Sequence, residues 1–533
     1  MSGGQDSARR ALDKAYAAIA ALGRWRARFL AAVLGALAVL AMAPVYQIYL
    51  LIPAFSGLLW LSAAAQTRWH AFVVGWWFGA GYFGASLYWV SFALLVDAER
   101  FAWLIPFAVF GFAFGLGIFG ACAAWAVRAV PGSLSARALM LAGAWTVLEW
   151  VRAWLFTGLP WNPVGSAWAF SDAMMQGASV IGVFGLSLFT VLFAAGVGAL
   201  VPSDQGARRL VAVAGLIGVA GLAFGEYRLS TAVAGPVDGV RLRLIQPNIA
   251  QAEKWKRKLL RRNMMTQIDL MLAPPAAGSK PPTHVIWAET AAPFFIANSE
   301  DWRRVVGQAT PPGGLTILGA PRVVGGADGE FQVANALLAI TETGAVAATY
   351  DKSHLVPFGE YVPLSDWLPL DKITQGQGAF TPGAGPVTLT LKGLPPVSPL
   401  ICYEVIFPHQ VTDPADRPQW LLNLTNDAWY GKTAGPHQHF VTARFRAVEE
   451  GLPAVRVAFT GISGIIDAYG RVQSRLGLGE KGFVDGDLPQ AIPRPGAYAR
   501  WGNTVPLSLS IAIILAALFA VYGRAQGRNR DTD

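Results

Sequence analysis

Hydropathy along the chain changes character twice. Between about residues 29 and 224 apolar positions form long, nearly unbroken runs; from about 226 to 500 the runs are short and separated by polar stretches; one more long run follows. A helix that crosses a bilayer needs about 20 mainly apolar residues. By that measure the pattern predicts eight spans, at residues 29–42, 48–65, 72–94, 103–127, 138–154, 175–201, 210–224 and 505–522. A turn at Pro44 makes the first two a tight hairpin. Arg24, Arg26 and Arg28 before the first run, and Ala41, Met42 and Ala43 after it, also resemble a signal peptide with its cleavage site. Pro44 directly after that site, and the apolar run that follows, favour an uncleaved helix.

Within 226–500 the short runs at 240–245, 283–288, 316–320, 334–340, 399–402, 420–424 and 454–459 read as strands, and 253–272 and 437–450 as helices. Strands alternating with helices indicate a layered α/β domain whose reactive groups sit at strand ends. The expected architecture is therefore a membrane α-helical bundle plus an α/β domain. Residues 1–225 form a membrane domain of seven helices, 226–500 a soluble domain, and 501–533 an eighth helix and tail. No internal repeat interrupts this plan.

Composition agrees with a bilayer. With 54% hydrophobic and 14% charged residues, and a mean hydropathy of +0.41, the chain is too apolar for an ordinary soluble protein. The net charge of +9 would suit nucleic acid only if the basic residues shared one face. They lie instead in short loops beside apolar runs, so no nucleic-acid partner is expected. Threading the chain puts Arg24, Arg26 and Arg28, then Arg68, then Arg128 and Arg137, then Arg208 and Arg209, then Arg524 on one side. By the positive-inside rule that side is cytoplasmic, with both termini, and 226–500 lies outside, in a bacterium the periplasm.

Candidate chemistry gathers at three apolar runs. Ser398 to Ile401 breaks at Cys402, one of two cysteines, followed by Tyr403 and Glu404. A lone cysteine is either a small buried hydrophobe or, at the exposed end of a strand, a nucleophile. Glu289 closes the run Val285 to Ala288 and is either a structural ion-pair partner or a general base. Lys352 opens an irregular loop rich in proline and aromatic residues, of the kind that holds a side chain in place. It is either a stabilising ion-pair partner or positive charge for an oxyanion. The three explain one another: a thiol needs a base, and the tetrahedral intermediate of acyl transfer needs a fixed cation. His354, His437 and His439 do not have metal-site spacing, and neither metal nor cofactor is expected. Glu149 and Arg152, in a Trp-rich stretch, read as interfacial anchors or as contacts to a lipid headgroup.

The order Glu, Lys, Cys, each at a strand end, resembles the nitrilase superfamily, whose domain is an αββα sandwich. The stretches KSHLVPFGEYVP from Lys352, ICYE from Ile401, NDAWYG from Asn426 and GPHQH from Gly435 are similar to those of the apolipoprotein N-acyltransferase family within it. That resemblance spans nearly the whole chain, since the family places seven helices before the domain and one after. It implies Glu289 as general base, Lys352 as oxyanion stabiliser and Cys402 as nucleophile. It further implies Glu360 as auxiliary carboxylate, Tyr403 and Glu404 as residues needed for activity, and Trp255 and Trp429 as substrate contacts. The implied partners are a phospholipid donor, with phosphatidylethanolamine and its sn-1 chain preferred, a diacylglyceryl apolipoprotein acceptor, and the bacterial inner membrane. Phe294, Phe295, Phe358 and Tyr430 are candidates, with Trp429, for an apolar lid. Ala288 and Phe459 depart from the family pattern, where proline and a polar residue are usual. Two other readings stay open: a membrane-tethered amidase or thioesterase, and a lipid- or lipoprotein-binding module without activity.

Overall fold

A computed structural model describes residues 2–201, 205–233, 235–325, 331–363, 365, 367 and 379–530, with only the backbone described for 2–9 and 521–530. The chain divides into two compact units, one of Met1–Ser91, Trp103–Ser230 and Arg500–Asp533, the other of Phe92–Ala102 and Thr231–Ala499.

The first unit is helical. Its principal helices are Arg24–Val39, Leu51–Ala64, Arg68–Leu87, Ile105–Ala129, Leu134–Arg152, Ala178–Gly198, Gln205–Ser230 and Thr504–Arg530. The expected eight transmembrane helices require correction: among the described residues, three helices are both long and apolar enough to cross a membrane. They are Ala98–Ala129, Ala178–Gly198 and Gln205–Ser230. Ile48–Ala64 and Thr504–Ala520 are apolar but shorter. Arg24–Val39 has 16 residues and carries three arginines in its opening turns. Arg68–Leu87 dilutes its apolar residues with Arg68, His70, glycines and tryptophans, and Leu134–Arg152 carries Arg137, Glu149 and Arg152. The run 72–94 also crosses a helix break at Tyr88 and Trp89, so an apolar stretch overstates the helix within it.

Small residues let Arg68–Leu87 and Ile105–Ala129 touch backbone to backbone. A Cβ on Gly75 would stand 2.3 Å from the Gly120 carbonyl oxygen, and one on Gly79 2.7 Å from that of Gly117. At such distances only glycine fits, and the two backbones gain van der Waals contact along the crossing. Glu149 and Arg152, expected as interfacial anchors or headgroup contacts, are both buried, 4% and 2% exposed. Glu149 accepts from Trp145 Nε1 at 2.9 Å and Val164 N at 2.8 Å, and Arg152 donates to the carbonyl oxygens of Leu159 and Trp161. Together they fix the turn that follows their own helix.

The second unit contains eleven strands: β1 Pro236–Gln246, β2 His284–Trp287, β3 Leu315–Gly325, β4 Phe331–Thr341, β5 Val346–Asp351, β6 Val397–Ile401, β7 Trp420–Thr425, β8 Ala454–Ala458, β9 Ser463–Ile466, β10 Val472–Leu476 and β11 Gly482–Pro489. They form two open sheets, ordered β11-β1-β2-β3-β4-β5 and β10-β9-β8-β7-β6. Strands β2, β6, β7 and β8 are buried at every position, as parallel strands covered on both faces must be. Leu244, Ile286 and Ile317 of one sheet share a single apolar core with Val397, Leu422 and Val455 of the other. Outside, Leu260–Leu272 packs on β1 and β11, Glu300–Ala309 on β4, and Ala434–Glu450 on β8. Helix, sheet, sheet, helix is the αββα order.

All seven runs read as strands are strands. Of the four not foreseen, β5, β10 and β11 are largely half exposed or exposed, and β9, although buried, opens on Ser463 and Gly464, so none carries a contiguous apolar run. The helix expected over 253–272 is broken. Gln251–Lys254 and Leu260–Leu272 are separate helices, joined through the basic stretch 255–258.

Strand direction decides where reactive groups can meet. β1, β2 and β3 run parallel, β4 is antiparallel to β3, and β5 is antiparallel to β4. β5 therefore runs the same way as β2, and the residues after both strands emerge at one edge of the sheet. β6, β7 and β8 are parallel in the second sheet.

Leu422 is fully buried between the sheets. Replacing it with alanine is expected to destabilise the α/β unit by about 2–5 kcal/mol, seen as a lower thermal midpoint of the purified full chain.

Candidate active site

The three residues assigned reacting roles each follow a strand. Glu289 stands two positions after β2, Lys352 directly after β5 and Cys402 directly after β6. All three are buried, 6%, 1% and 5% exposed. Lys352 Nζ lies 2.9 Å from Glu360 Oε2 and 3.4 Å from Glu289 Oε1. One ammonium thus joins the strand-end glutamate to the glutamate of the proline-rich loop.

Asn335, which the sequence reading did not single out, completes this cluster. From β4 it donates through Nδ2 to Glu289 Oε1 at 2.7 Å and to Glu360 Oε1 at 2.9 Å. Its own carbonyl accepts from Lys352 N at 2.8 Å. The signal was present: an asparagine in the middle of the apolar run Val333 to Ile340 needs a partner if it is buried. Glu360 also accepts from Val356 N at 2.8 Å, which folds its loop back on itself.

Burial alone would pull the Lys352 ammonium down; Glu360 and Glu289 outweigh it and hold it well above the ordinary lysine range. Burial and Glu289 push the Cys402 thiol up to about 12, against the opposing pull of Lys352. At neutral pH the thiol is therefore protonated, and it reacts only if a base takes the proton as the new bond forms. Glu289 and Lys352 are both close enough to Cys402 to influence its ionisation.

Cys402 has φ +54°, a left-handed conformation that costs a residue with a side chain roughly 1–3 kcal/mol. Its carbonyl oxygen is held from beneath. Asn423 Nδ2 donates to it at 3.4 Å, and His439 Nε2 lies 3.2 Å away. His439 Nδ1 lies 2.9 Å from Asp427 Oδ1, and Arg456 donates to Asp427 Oδ2 at 2.7 Å. Burial would raise the Asp427 carboxyl; Arg456 and His439 outweigh it and hold it at about 2. This Asp, His, Arg group also escaped the sequence reading, because its members come from three elements.

Glu404 joins the turn of Cys402 to the loop of Lys352. It accepts from Ile401 N at 2.6 Å on one oxygen and from Tyr350 Oη, Ser353 N and Ser353 Oγ, each at 2.7 Å, on the other. Tyr403 turns elsewhere: its ring meets Phe407 edge-on at 5.1 Å and lies 5.6 Å from the His354 ring. Trp255 follows the Gln251–Lys254 helix, and its buried Nε1 has no hydrogen-bond partner among the described residues. Trp429 is half-buried in the turn Asp427–Tyr430. Of the proposed lid, Phe358 is 40% exposed with φ +61°, and Phe295 packs edge-on to Phe331 at 5.8 Å. Cys122 and Cys402 are both free thiols. Among the described residues no group of three or more His, Cys, Asp or Glu side chains is disposed to hold a metal.

Asn335→Asp would set a third carboxylate against Glu289 and Glu360. The substitution also removes the donor that both carboxylates share, so modification of Cys402 at neutral pH, followed by intact mass, is expected to slow about 10-fold.

Comparison with known proteins covers both units. The family described as Apolipoprotein N-acyltransferase N-terminal domain matches residues 34–196, and the one described as Carbon-nitrogen hydrolase matches residues 241–493. An apolipoprotein N-acyltransferase of Rhodopseudomonas palustris is 38% identical over 92% of this chain and 94% of its own. That of Bradyrhizobium diazoefficiens is 39% identical over 95% of this chain and 96% of its own. Among solved structures, an amidase from Nesterenkonia sp. AN1 aligns with 21% identity and a TM-score of 0.34, over 47% of this chain and 93% of that one. With identity of this degree running through the helical and the α/β parts alike, the chain belongs to the apolipoprotein N-acyltransferase family.

Proposed function

We propose that the chain moves an acyl group from a phospholipid to the N-terminal amine of a lipoprotein through a thioester on Cys402. The observation that carries this reading is the convergence, at one sheet edge, of Glu289 and Lys352 in contact at 3.4 Å, with Cys402 close enough for both to influence its ionisation. The name shared by the relatives, apolipoprotein N-acyltransferase, supports an apolipoprotein as acceptor.

In the first half-reaction Cys402 Sγ attacks the sn-1 ester carbonyl of a phospholipid, phosphatidylethanolamine by preference. Glu289 takes the thiol proton as the carbon–sulfur bond forms, and Lys352 faces the oxyanion. A donor of that kind typically lowers the barrier by about 3–4 kcal/mol. The intermediate collapses, the ester carbon–oxygen bond breaks, and Glu289 returns the proton to the leaving lyso-lipid oxygen. In the second half the α-amine of an S-diacylglyceryl cysteine attacks the thioester and loses its proton to Glu289. The amide forms, and the Cys402 sulfur leaves and is reprotonated. Glu360 and Asn335 fix Glu289 and Lys352, and Glu404 fixes the nucleophile's turn.

A lipid donor fits a chain that carries long apolar helices as well as an α/β unit. Arg208 and Arg209 lie in the opening turn of the Gln205–Ser230 helix, one of the three long enough to cross, so by the positive-inside rule residues 226–500, which follow its other end, are assigned to the outer face of a bacterial inner membrane. Enclosure of Cys402, 5% exposed, supports acyl transfer over hydrolysis, since a thioester kept from water awaits its amine.

Purified protein given phosphatidylethanolamine alone is expected to gain a hydroxylamine-labile acyl adduct, absent from Cys402→Ser. Adding a diacylated lipopeptide should then move the acyl group to the amine. Equal hydroxylamine-labile labelling of Cys402→Ser would refute the mechanism, and release of the label to water alone would make the protein a hydrolase.

A further inference from the structure

A second lysine is buried beside Glu289 and has no part in the mechanism above. Lys254 ends the Gln251–Lys254 helix and is 1% exposed. Its Nζ donates to the Glu289 carbonyl oxygen at 3.1 Å and to Thr290 Oγ1 at 2.5 Å. An ammonium has three N–H donors. In place of a third oxygen, the ring of Phe459 lies 4.1 Å from the nitrogen.

Two features make this more than a satisfied buried polar group. Thr290 has φ +44°, which for a β-branched residue is a strained conformation. Gly319 packs so closely beneath the same turn that a Cβ there would stand 2.5 Å from Thr290 N. Lys254 therefore ties down the strained turn that presents Glu289. The other feature is Phe459, whose aromatic face attracts the cation without supplying an oxygen.

We propose that Lys254 is a positioning residue for acyl transfer: a second buried cation that holds the Glu289 turn, favours proton loss from Cys402 and is itself kept charged by the ring of Phe459. The inference rests on Glu289 and Cys402 having the roles given above. The ionisable groups facing Lys254 are Glu289 and Cys402; the carboxylate of neighbouring Glu253 is turned to Arg262 at 2.7 Å. Burial pulls Lys254 down to about 7, against the upward pull of Glu289 and Cys402. The cation is thus present below neutrality and lost as pH rises through that value.

The test uses the full chain in a Cys122→Ala background, so that iodoacetamide reports on Cys402 alone. Alkylation of Cys402, followed by intact mass, and single-turnover acylation from phosphatidylethanolamine micelles are each measured across pH. Below neutrality Lys254→Met is expected to slow both about 10- to 100-fold, the rate equivalent of one charge-assisted interaction, with half-saturation by phospholipid unchanged. Above neutrality the gap between wild type and Lys254→Met should narrow to what the hydrogen bonds of the neutral amine still contribute, whereas a misfolded site would leave it constant across pH. Lys254→Arg should restore the rate and carry it to higher pH. Phe459→Leu, which adds no charge, should move the wild-type midpoint down by about half to one pH unit. Superimposable profiles for wild type and Lys254→Met, or an unmoved midpoint in Phe459→Leu, would overturn the proposal. Failure of wild type to form a thioester would instead overturn the reaction scheme, while the alkylation profiles would still decide the role of Lys254.

Discussion

The ammonium of Lys352, shut inside the α/β unit between Glu360 and Glu289, constrains everything around it. Removing a single charge from water costs several kcal/mol even after relaxation. The ion is tolerable only while both carboxylates are in place, and they in turn need Asn335. Four residues from the ends of β2 and β5, the middle of β4 and a long loop must therefore arrive together. The sheet order makes this possible, because two reversals between β3 and β5 return the chain to the edge where β2 ends.

Around this charge the backbone is strained in a consistent way. Thr290, Phe358 and Cys402 all have left-handed φ, at +44°, +61° and +54°, and each lies on a turn that carries or adjoins Glu289, Glu360 or Cys402. Such conformations persist where the surroundings over-determine them. Here Lys254 bonds to Thr290, Glu360 N closes the loop of Phe358 onto the Val356 carbonyl, and Asn423 and His439 hold the Cys402 carbonyl. The side chains are aimed by the turns, and the turns are held by buried polar groups that do not react.

The helical unit follows a different physical rule. Its Arg68–Leu87 and Ile105–Ala129 helices meet through glycines, and its buried Glu149 and Arg152 satisfy local backbone rather than solvent. Close backbone packing and polar groups that bond within the unit suit a lipid surrounding, where neither water nor the hydrophobic effect assists.

How much of this was legible in the sequence depended on the range of the signal. Apolar runs bounded by polar residues marked β1 to β4 and β6 to β8, and thereby the strand ends that carry Glu289 and Cys402, because burial on both faces leaves a local trace. The loop opened by Lys352 was marked instead by its prolines and aromatic residues. Run length did not measure helix length, so spans were over-counted where a turn such as Tyr88–Trp89 sits inside an apolar stretch. Edge strands such as β5 and β10, half wet, left little pattern. Asn335, Lys254 and the Asp427, His439, Arg456 group became recognisable only in three dimensions. Each is an ordinary polar residue until distant segments fold against it, and the burial that makes its hydrogen bonds consequential is a property of the assembled sheets.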